Sequence, residues 1–402
     1  MATTEMTRPD STAEDFRAEA AAWLADNFPQ SLVGKENLLA AVEGDSKPDP
    51  EAAAWKKAMG EKGWGTPTWP KAYGGGGLDA KQARILQEEM ARINAWNPIG
   101  GMGVMMLGPT LLEFASEEQK QRYIPPICRG EIRWCQGYSE PGAGSDLASL
   151  QTKCEDKGDH WLINGQKTWT SGGQWADWCF ALVRTDTTRK HEGISFILLD
   201  MKSPGVEVKP IRMISGASPF CETFFTDVKV PKDQIVGEIG NGWTIGKRLL
   251  QHERTNLSGG GRMGRGAGPT LADIAKKYVG VDEQGRIADA DLRGRIIKHD
   301  MEARAFQATA RRVTAEAKSG EVSLASSILK NVGARITQER AELTLEIMGM
   351  QGLGWEGEGF HPLELGSTRG WLWGKAVSIY GGTTEIQNNV IAKRILGMLD
   401  HQ

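Results

Sequence analysis

The chain has 402 residues and a formal net charge of −3, with acidic and basic residues mixed throughout, so it offers no basic field to nucleic acid or to an anionic membrane surface. Its length predicts two or three domains with enough buried surface to carry a sizeable cofactor. The five cysteines (Cys128, Cys135, Cys154, Cys179 and Cys221) form no C-x-x-C pair and the six histidines show no H-x-x-x-H or H-E-x-x-H spacing, which argues against a metal centre and fits a reducing compartment.

The start, "MATTEMTRPDSTAEDF", is acidic and has neither an apolar signal core nor an Arg-rich amphipathic pattern, and no apolar run approaches bilayer length; the expectation is a cytoplasmic protein. From Ser11, "STAEDFRAEAAAWLADNF" pairs Ser11 with Glu14 as a capping box and spaces Phe16, Ala20, Trp23, Leu24 and Phe28 as one helical face. Further helices are predicted over Glu51–Gly63, Lys81–Ala95 and the segment ending at Gly130.

The texture then changes. "HWLINGQKTWT" reads as two β-rich runs joined by a hairpin turn at Asn164-Gly165, and "DWCFALVRTD", "GISFILLDM", "GVEVKPIRM" and "ETFFTDVKVP" read as strands bounded by Gly, Pro or Asp. After "GEIGNGW" helical periodicity returns near Trp243–Ala267, Asp291–Lys318, Ser323–Met350 and Asn388–Leu399. The order is α, then β, then α: an α+β multidomain chain whose strands do not alternate with helices, which excludes a doubly wound nucleotide fold. Domain limits are expected at 1–132, 133–240 and 241–402. The 50 glycines and 14 tryptophans follow no repeat, and suggest fixed turns and large aromatics around a flat ligand.

Three stretches bear on chemistry. "YSEPGAGSDLASLQTK" is a Gly-rich loop whose backbone N–H groups, Ser139, Ser145 and Asp146 suit a phosphate or a polar ring edge, though it lacks P-loop spacing. "INGQKTWTSGG" sets Trp169 and Ser171 two residues apart on one strand, hence on one face, an arrangement suited to packing on a planar heterocycle and donating to its edge. "LLQHERTNLSGGGR" places Glu253 just ahead of Gly259, Gly260 and Gly261, where a solvated helix glutamate is the ordinary reading by residue type.

Together with "WPKAYGGGGL", "GPTLLEFASEEQKQRYIPPI", "GWTIGKRLL" and "IYGGTTEIQNNVIAKRILG", these stretches resemble the acyl-CoA dehydrogenase family in order and distance over nearly the whole chain. The resemblance implies a helical N-terminal domain, a middle β-barrel and a C-terminal four-helix bundle. It also implies bound FAD, an acyl-CoA substrate, an electron-transferring flavoprotein as electron acceptor, and assembly as a homotetramer or an α2β2 heterotetramer. Gln136, Gly137, Tyr138 and Ser139 would run beside the flavin, with Ser139 bonding its pyrimidine edge. Trp169 would pack on the isoalloxazine, with Thr170 beside it and Ser171 donating to N5, and Ser145 would lie near the pantetheine or pyrophosphate. Glu346 and Gly349 fall in a turn that holds FAD from a partner subunit, and Thr383 and Glu385 match contacts to its adenosine part. Glu346 and Met350 replace the family's more usual Gln and Gly, and no Arg-x-x-Phe-Gly segment occurs near Lys276 to Gly285.

The family's reaction removes a proton from the α-carbon of an acyl thioester and a hydride from the β-carbon, giving a trans-2-enoyl-CoA. In many members the base is the Glu of Y-E-G-T; here Tyr380, Gly381, Gly382 and Thr383 put glycine at that place. Some members, resembling isovaleryl-CoA and long-chain enzymes, carry the base on the first helix of the C-terminal domain before an arginine, which matches Glu253 and Arg254. Glu253 is therefore the expected base, with Arg254 as support and Tyr380, Gly381 and Gly382 on the substrate side. Two other readings share the scaffold: an oxygen-reacting acyl-CoA oxidase, and a non-catalytic subunit of an α2β2 enzyme.

Overall fold

The computed structural model describes residues 11–35, 49–258, 269–318 and 326–399; the side chains of Ser11 and of residues 253–258, 314, 317–318 and 326–327 fall outside that description. The chain forms two compact units, one of residues 1–213 with 217–249, the other of residues 214–216 with 250–402.

The first unit opens with α1 (Ser11–Asn27), α2 (Pro50–Glu61), α3 (Ala80–Arg92), a π-type turn (Gly103–Leu107) running into α4 (Gly108–Phe114), and α5 (Glu117–Cys128). The expected stripe of α1 is real: Phe16, Ala20, Leu24 and Phe28 are buried against Trp55, Met59, Ile85 and Leu86. Helix starts follow capping chemistry. Asp79 accepts from the N–H of Lys81 and Gln82 while Gln82 returns a bond to the Asp79 N–H, and Ser116 and Gln119 repeat the pattern for α5. Four of the tryptophans, Trp55, Trp64, Trp134 and Trp161, are buried in the core. Trp23 packs on Trp55 and Trp64, and Trp134 and Trp178 close on Tyr123 at 5.4 and 5.1 Å.

The same unit then builds one eight-stranded sheet: β1 (Trp134–Gly137), β2 (Lys153–Asp156), β3 (His160–Ser171), β4 (Trp178–Arg184), β5 (Ile194–Asp200), β6 (Val206–Ile211), β7 (Phe220–Pro231) and β8 (Ile235–Val236). The spatial order is β6-β7-β3-β2-β4-β5-β8, with β1 parallel to β4. β4 and β5 are buried along almost their whole length, as their continuous apolar runs require.

One expectation is overturned here. Asn164-Gly165 does not turn the chain but lies inside the continuous strand β3, and the hairpin between β2 and β3 closes instead at Lys157–Asp159. There Gly158 takes a left-handed φ of +91° and its N–H donates to Asp156 at 2.8 Å. Asn164 is held in the strand from across the sheet: its side chain donates to Asp227 at 3.0 Å and accepts from the Asp227 N–H at 2.9 Å. Gly165 is glycine because a Cβ would come within 2.6 Å of the Thr152 hydroxyl.

Helix α6 (Gly242–Ser258) begins in the first unit, and its residues from Leu250 belong to the second. Its base sits directly on the sheet: a Cβ on Gly242 would overlap the Ser195 backbone, and one on Gly246 would reach Leu182 at 3.2 Å and the Tyr138 hydroxyl at 3.6 Å. Trp243 stacks on His191 with ring centroids 4.9 Å apart. The second unit continues with α7 (Leu271–Tyr278), α8 (Ala290–Lys318), α9 (Ser326–Met348), α10 (Pro362–Gly374) and α11 (Thr384–Val390), the last followed by a π-type turn over Ile391–Ile395. Its core joins Leu271, Ile274, Leu292 and Ile296 to Leu343 and Ile347 of α9. Among the described residues no helix is long and apolar enough to cross a membrane, and no group of three or more His, Cys, Asp or Glu could hold a metal ion.

Candidate functional site

The Gly-rich loop leaves the sheet at the end of β1. Gln136 and Gly137 pair with Phe180 and Ala181, and Gly137 is there for packing, since a Cβ would stand 2.8 Å from the Cys179 sulfur. Tyr138 is buried, its ring edge-on to Phe180 and Phe196 at 6.1 and 6.4 Å. The carbonyl of Ser139 accepts from the Thr168 N–H at 2.9 Å, which ties this turn to β3 immediately before Trp169.

Beneath the turn lies a buried ion pair. Lys167 Nζ donates to the Tyr138 carbonyl at 3.1 Å and to Glu140 Oε1 at 2.8 Å, and the Glu140 carboxylate also accepts from the N–H of Thr152 at 2.9 Å and of Gln151 at 2.6 Å. Lys167 is fully buried and Glu140 nearly so. Burial is the largest influence on each. It lowers the affinity of Lys167 for its proton below the ordinary lysine value, against the pull of Glu140. It pushes the Glu140 carboxyl up, but Lys167 and the three hydrogen bonds outweigh it and leave that carboxyl below the usual range. Taking two charges out of water costs several kcal/mol per ion, roughly what good geometry returns, so the pair contributes position more than net stability.

Arg184 secures the far end of the loop. It is buried, and its guanidinium donates to the carbonyls of Ala148 at 2.6 Å, Leu150 at 3.1 and 3.2 Å, Arg189 at 3.0 Å and Lys190 at 2.7 Å. Between these two anchors the tip stays open: Gly142, Gly144, Ser145 and Asp146 are exposed, and a Cβ on either glycine would meet nothing. Asp146 accepts from Ser149 and pairs with Lys190 at 3.5 Å.

On β3 the ladder to β7 shifts register between Lys167 and Thr170, so two residues oppose one. Trp169 occupies this bulge with a left-handed φ of +61°, a conformation that costs about 1–3 kcal/mol in a non-glycine residue. The result is an outward indole: Trp169 is 54% exposed, with the ring of Phe220 edge-on at 6.0 Å. Thr170 turns the other way, buried, its hydroxyl accepting from Thr223 at 3.1 Å. Ser171 returns outward, half-buried, so Trp169 and Ser171 share a face as the strand alternation predicts.

The second unit holds the remaining predicted residues at separate places. Glu253 and Arg254 lie in the last turns of α6, and their side chains are outside the described residues. Glu346, near the end of α9, is half-exposed and bound by both Arg295 nitrogens at 2.5 and 2.6 Å. That pairing holds its carboxyl below the usual range. Gly349 leaves α9 with a left-handed φ of +56°. Tyr380 is exposed, and Gly381 and Gly382 are left-handed at +66° and +92°. Thr383 caps α11 by accepting from the Ile386 N–H at 3.2 Å, and Glu385 sits in the first turn, its carboxyl lowered by the N–H of its own residue and by Thr383.

Sequence reasoning missed Glu140, Lys167, Arg184 and the close-packing pair Gly242 and Gly246. For Lys167 a signal existed: it shares the odd-numbered register of Trp161 and Ile163, both buried, where a lysine requires a partner.

A helical segment, a sheet with an anchored Gly-rich loop and an outward indole, and a second helical unit follow one another in the order expected of the acyl-CoA dehydrogenase family. Three models of that family match in succession: the acyl-CoA dehydrogenase N-terminal domain over residues 12–131, the middle domain over 135–228 and the C-terminal domain over 240–396, and the chain belongs to the acyl-CoA dehydrogenase family. It is 35% identical to acyl-CoA dehydrogenase IpdE1 of Mycolicibacterium smegmatis over 96% of this chain and 97% of that one. Among solved structures it is similar to the Tcur3481-Tcur3483 steroid ACAD, with 29% identity, a TM-score of 0.76 and coverage of 98% and 99%. The ChsE4-ChsE5 complex from Mycobacterium tuberculosis matches with 26% identity, a TM-score of 0.74 and coverage of 99% and 100%.

Proposed function

We propose that this chain is an FAD-dependent acyl-CoA dehydrogenase that converts an acyl-CoA to the trans-2-enoyl-CoA, with Glu253 as the base. The observation that carries this is Gly381 at φ +66°: the place of the usual glutamate has no side chain and a backbone conformation in which a glutamate would be strained. Counting along α6, position 253 is seven residues beyond Gly246 and four beyond Leu249, in helical register with both. A carboxylate there would take the α-proton on one oxygen, and glycine at 381 leaves room for it. Arg254, one residue on, would support the site electrostatically.

The residues present fit FAD: an outward indole kept on strained backbone, a half-buried hydroxyl beside it, and a loop tip that any Cβ would leave open. Trp169 would pack on the ring system, Ser171 would donate to its edge, and the Tyr138–Ser139 turn would run along its other side. Bound FAD would supply the hydride acceptor. Toward a partner chain, Met350, Leu353, Leu396, Met398 and Leu399 are large apolar side chains left in the open, which supports assembly as a homotetramer or with a related subunit. The similar structures Tcur3481-Tcur3483 and ChsE4-ChsE5, each named for two chains, support the second form. An electron-transferring flavoprotein is the proposed acceptor, and a branched or ring-bearing acyl group the proposed substrate, the latter in keeping with the solved structure called a steroid ACAD.

The test is stopped-flow bleaching of the flavin by a panel of acyl-CoA thioesters, short straight, branched, aromatic and steroid-derived. At least one should bleach wild type rapidly, and Glu253→Gln should keep FAD and acyl-CoA while slowing bleaching by about 10²–10⁴-fold. Near-normal reduction in that variant overturns the assignment, and oxygen consumption at the rate of bleaching would make the protein an oxidase. One observation favours the non-catalytic subunit: Glu346, in the turn expected to hold FAD, is already engaged by Arg295. Protein that stays colourless after addition of FAD would establish that reading.

A further inference from the structure

We propose that the buried Glu140–Lys167 pair is the positioning device of the flavin site, fixing the Tyr138–Ser139 turn and the Trp169 bulge relative to each other; this rests on the FAD reading above. Lys167 is fully buried and Glu140 is 8% exposed with its carboxylate taken up by the bonds above, so the pair acts through the backbone it holds. Their bonds reach three backbone points of the Gly-rich loop. Lys167 holds the Tyr138 carbonyl at the start, and Glu140 holds the N–H groups of Gln151 and Thr152 at the end. The lysine itself stands on β3 two residues before Trp169, at the register shift that turns the indole outward. One ion pair thus sets both walls of the proposed ring site, and the 2.9 Å bond from Thr168 N–H to the Ser139 carbonyl joins them directly.

The attraction between the two charges itself adds little net stability over a well-packed apolar pair. What an apolar pair lacks is direction. It cannot fix the orientation of the Tyr138 peptide or hold two N–H groups at the loop's end, and a binding site loses affinity when its walls must be ordered by the ligand itself.

The test compares wild type with the double variant Glu140→Leu/Lys167→Met, each stripped of FAD and titrated with it. Three readouts are followed: quenching of flavin fluorescence, the melting temperature of the apoprotein, and the rise in melting temperature on saturation with FAD. A positioning role predicts an FAD dissociation constant about tenfold higher or more and a smaller FAD-induced rise, beyond the lower apoprotein melting point that three backbone groups left without partners will cause. Wild-type affinity and a wild-type rise in the double variant overturn the proposal. So does an apoprotein melting point that falls while FAD affinity holds, since that is the mark of a purely structural pair. Should the double variant not fold, Glu140→Gln, which keeps the volume and one acceptor, is read by the same criteria, with a threefold loss of affinity as the threshold. Wild-type apoprotein that fails to bind FAD at all overturns the functional reading first, and is distinguished by needing no variant.

Discussion

The sheet corner around Tyr138, Ser139 and Trp169 and the stretch from Glu346 to Glu385 are each proposed to touch FAD, yet they are built in opposite ways. In the first, every approach is fixed from within the chain: a buried ion pair under the loop, a buried guanidinium at its far end, and glycines that let strand and helix backbones close up. In the second, the predicted residues sit on exposed or half-exposed positions, the turns run through left-handed glycines at 349, 381 and 382, and Met350, Leu353 and Ile379 are 79%, 70% and 63% exposed. The difference teaches where one chain suffices. A corner held by desolvated bonds keeps its shape alone, whereas a surface of exposed apolar side chains and solvated ion pairs gains definition from whatever covers it.

The comparison can be broken at its strong end. Arg184→Ala leaves the carbonyls of Ala148 and Leu150 without their charged donor in a buried place, and should cost about 3–5 kcal/mol, read as a lower urea midpoint. A loss under 1 kcal/mol would mean that the loop's far end is not fixed by this residue. Gly242→Ala sets two effects against each other: alanine gains about 0.5–1 kcal/mol in helix propensity, but its Cβ overlaps the Ser195 backbone, and overpacking of that kind costs about 1–3 kcal/mol. The collision should win, with a net fall in thermal stability; an unchanged or raised melting point would show that the helix base yields freely.

At the weak end the expected effects are small. Glu346→Gln removes the partner of Arg295, but both side chains are about half-exposed, so the loss should stay below about 1 kcal/mol. Its pH dependence has a definite sign. The folded-state pKa of Glu346 is depressed by Arg295, so its contribution is present above the unfolded carboxyl value near about 4.3 and fades as pH falls through the folded value. Urea midpoints of wild type and variant should therefore converge in acid and separate slightly toward neutral pH. A gap that widens as pH falls would contradict the pairing.

Much of this contrast could not be read from the chain. Helix, strand and helix were legible because periodicity and caps act locally: Asp49, Asp79 and Ser116 start their helices as their residue types dictate. The Asn164-Gly165 turn failed because its chemistry is ambiguous. Asn164 found an equivalent partner in Asp227, 63 residues away, and Gly165 was required by Thr152, so tertiary contacts claimed residues that locally favour a turn. In the site, the shared face of Trp169 and Ser171 was legible from strand alternation, but the bulge that makes Trp169 protrude was not, since an extra residue in a ladder is visible only against its partner strand. Glu140 and Lys167 stood 27 residues apart with nothing to announce a pair except a lysine at an inward position.

The seat of α6 has a mechanical consequence. At Gly242 the helix backbone rests on the Ser195 backbone with no side chain between them to compress, so the first turn of α6 and strand β5 move as one body.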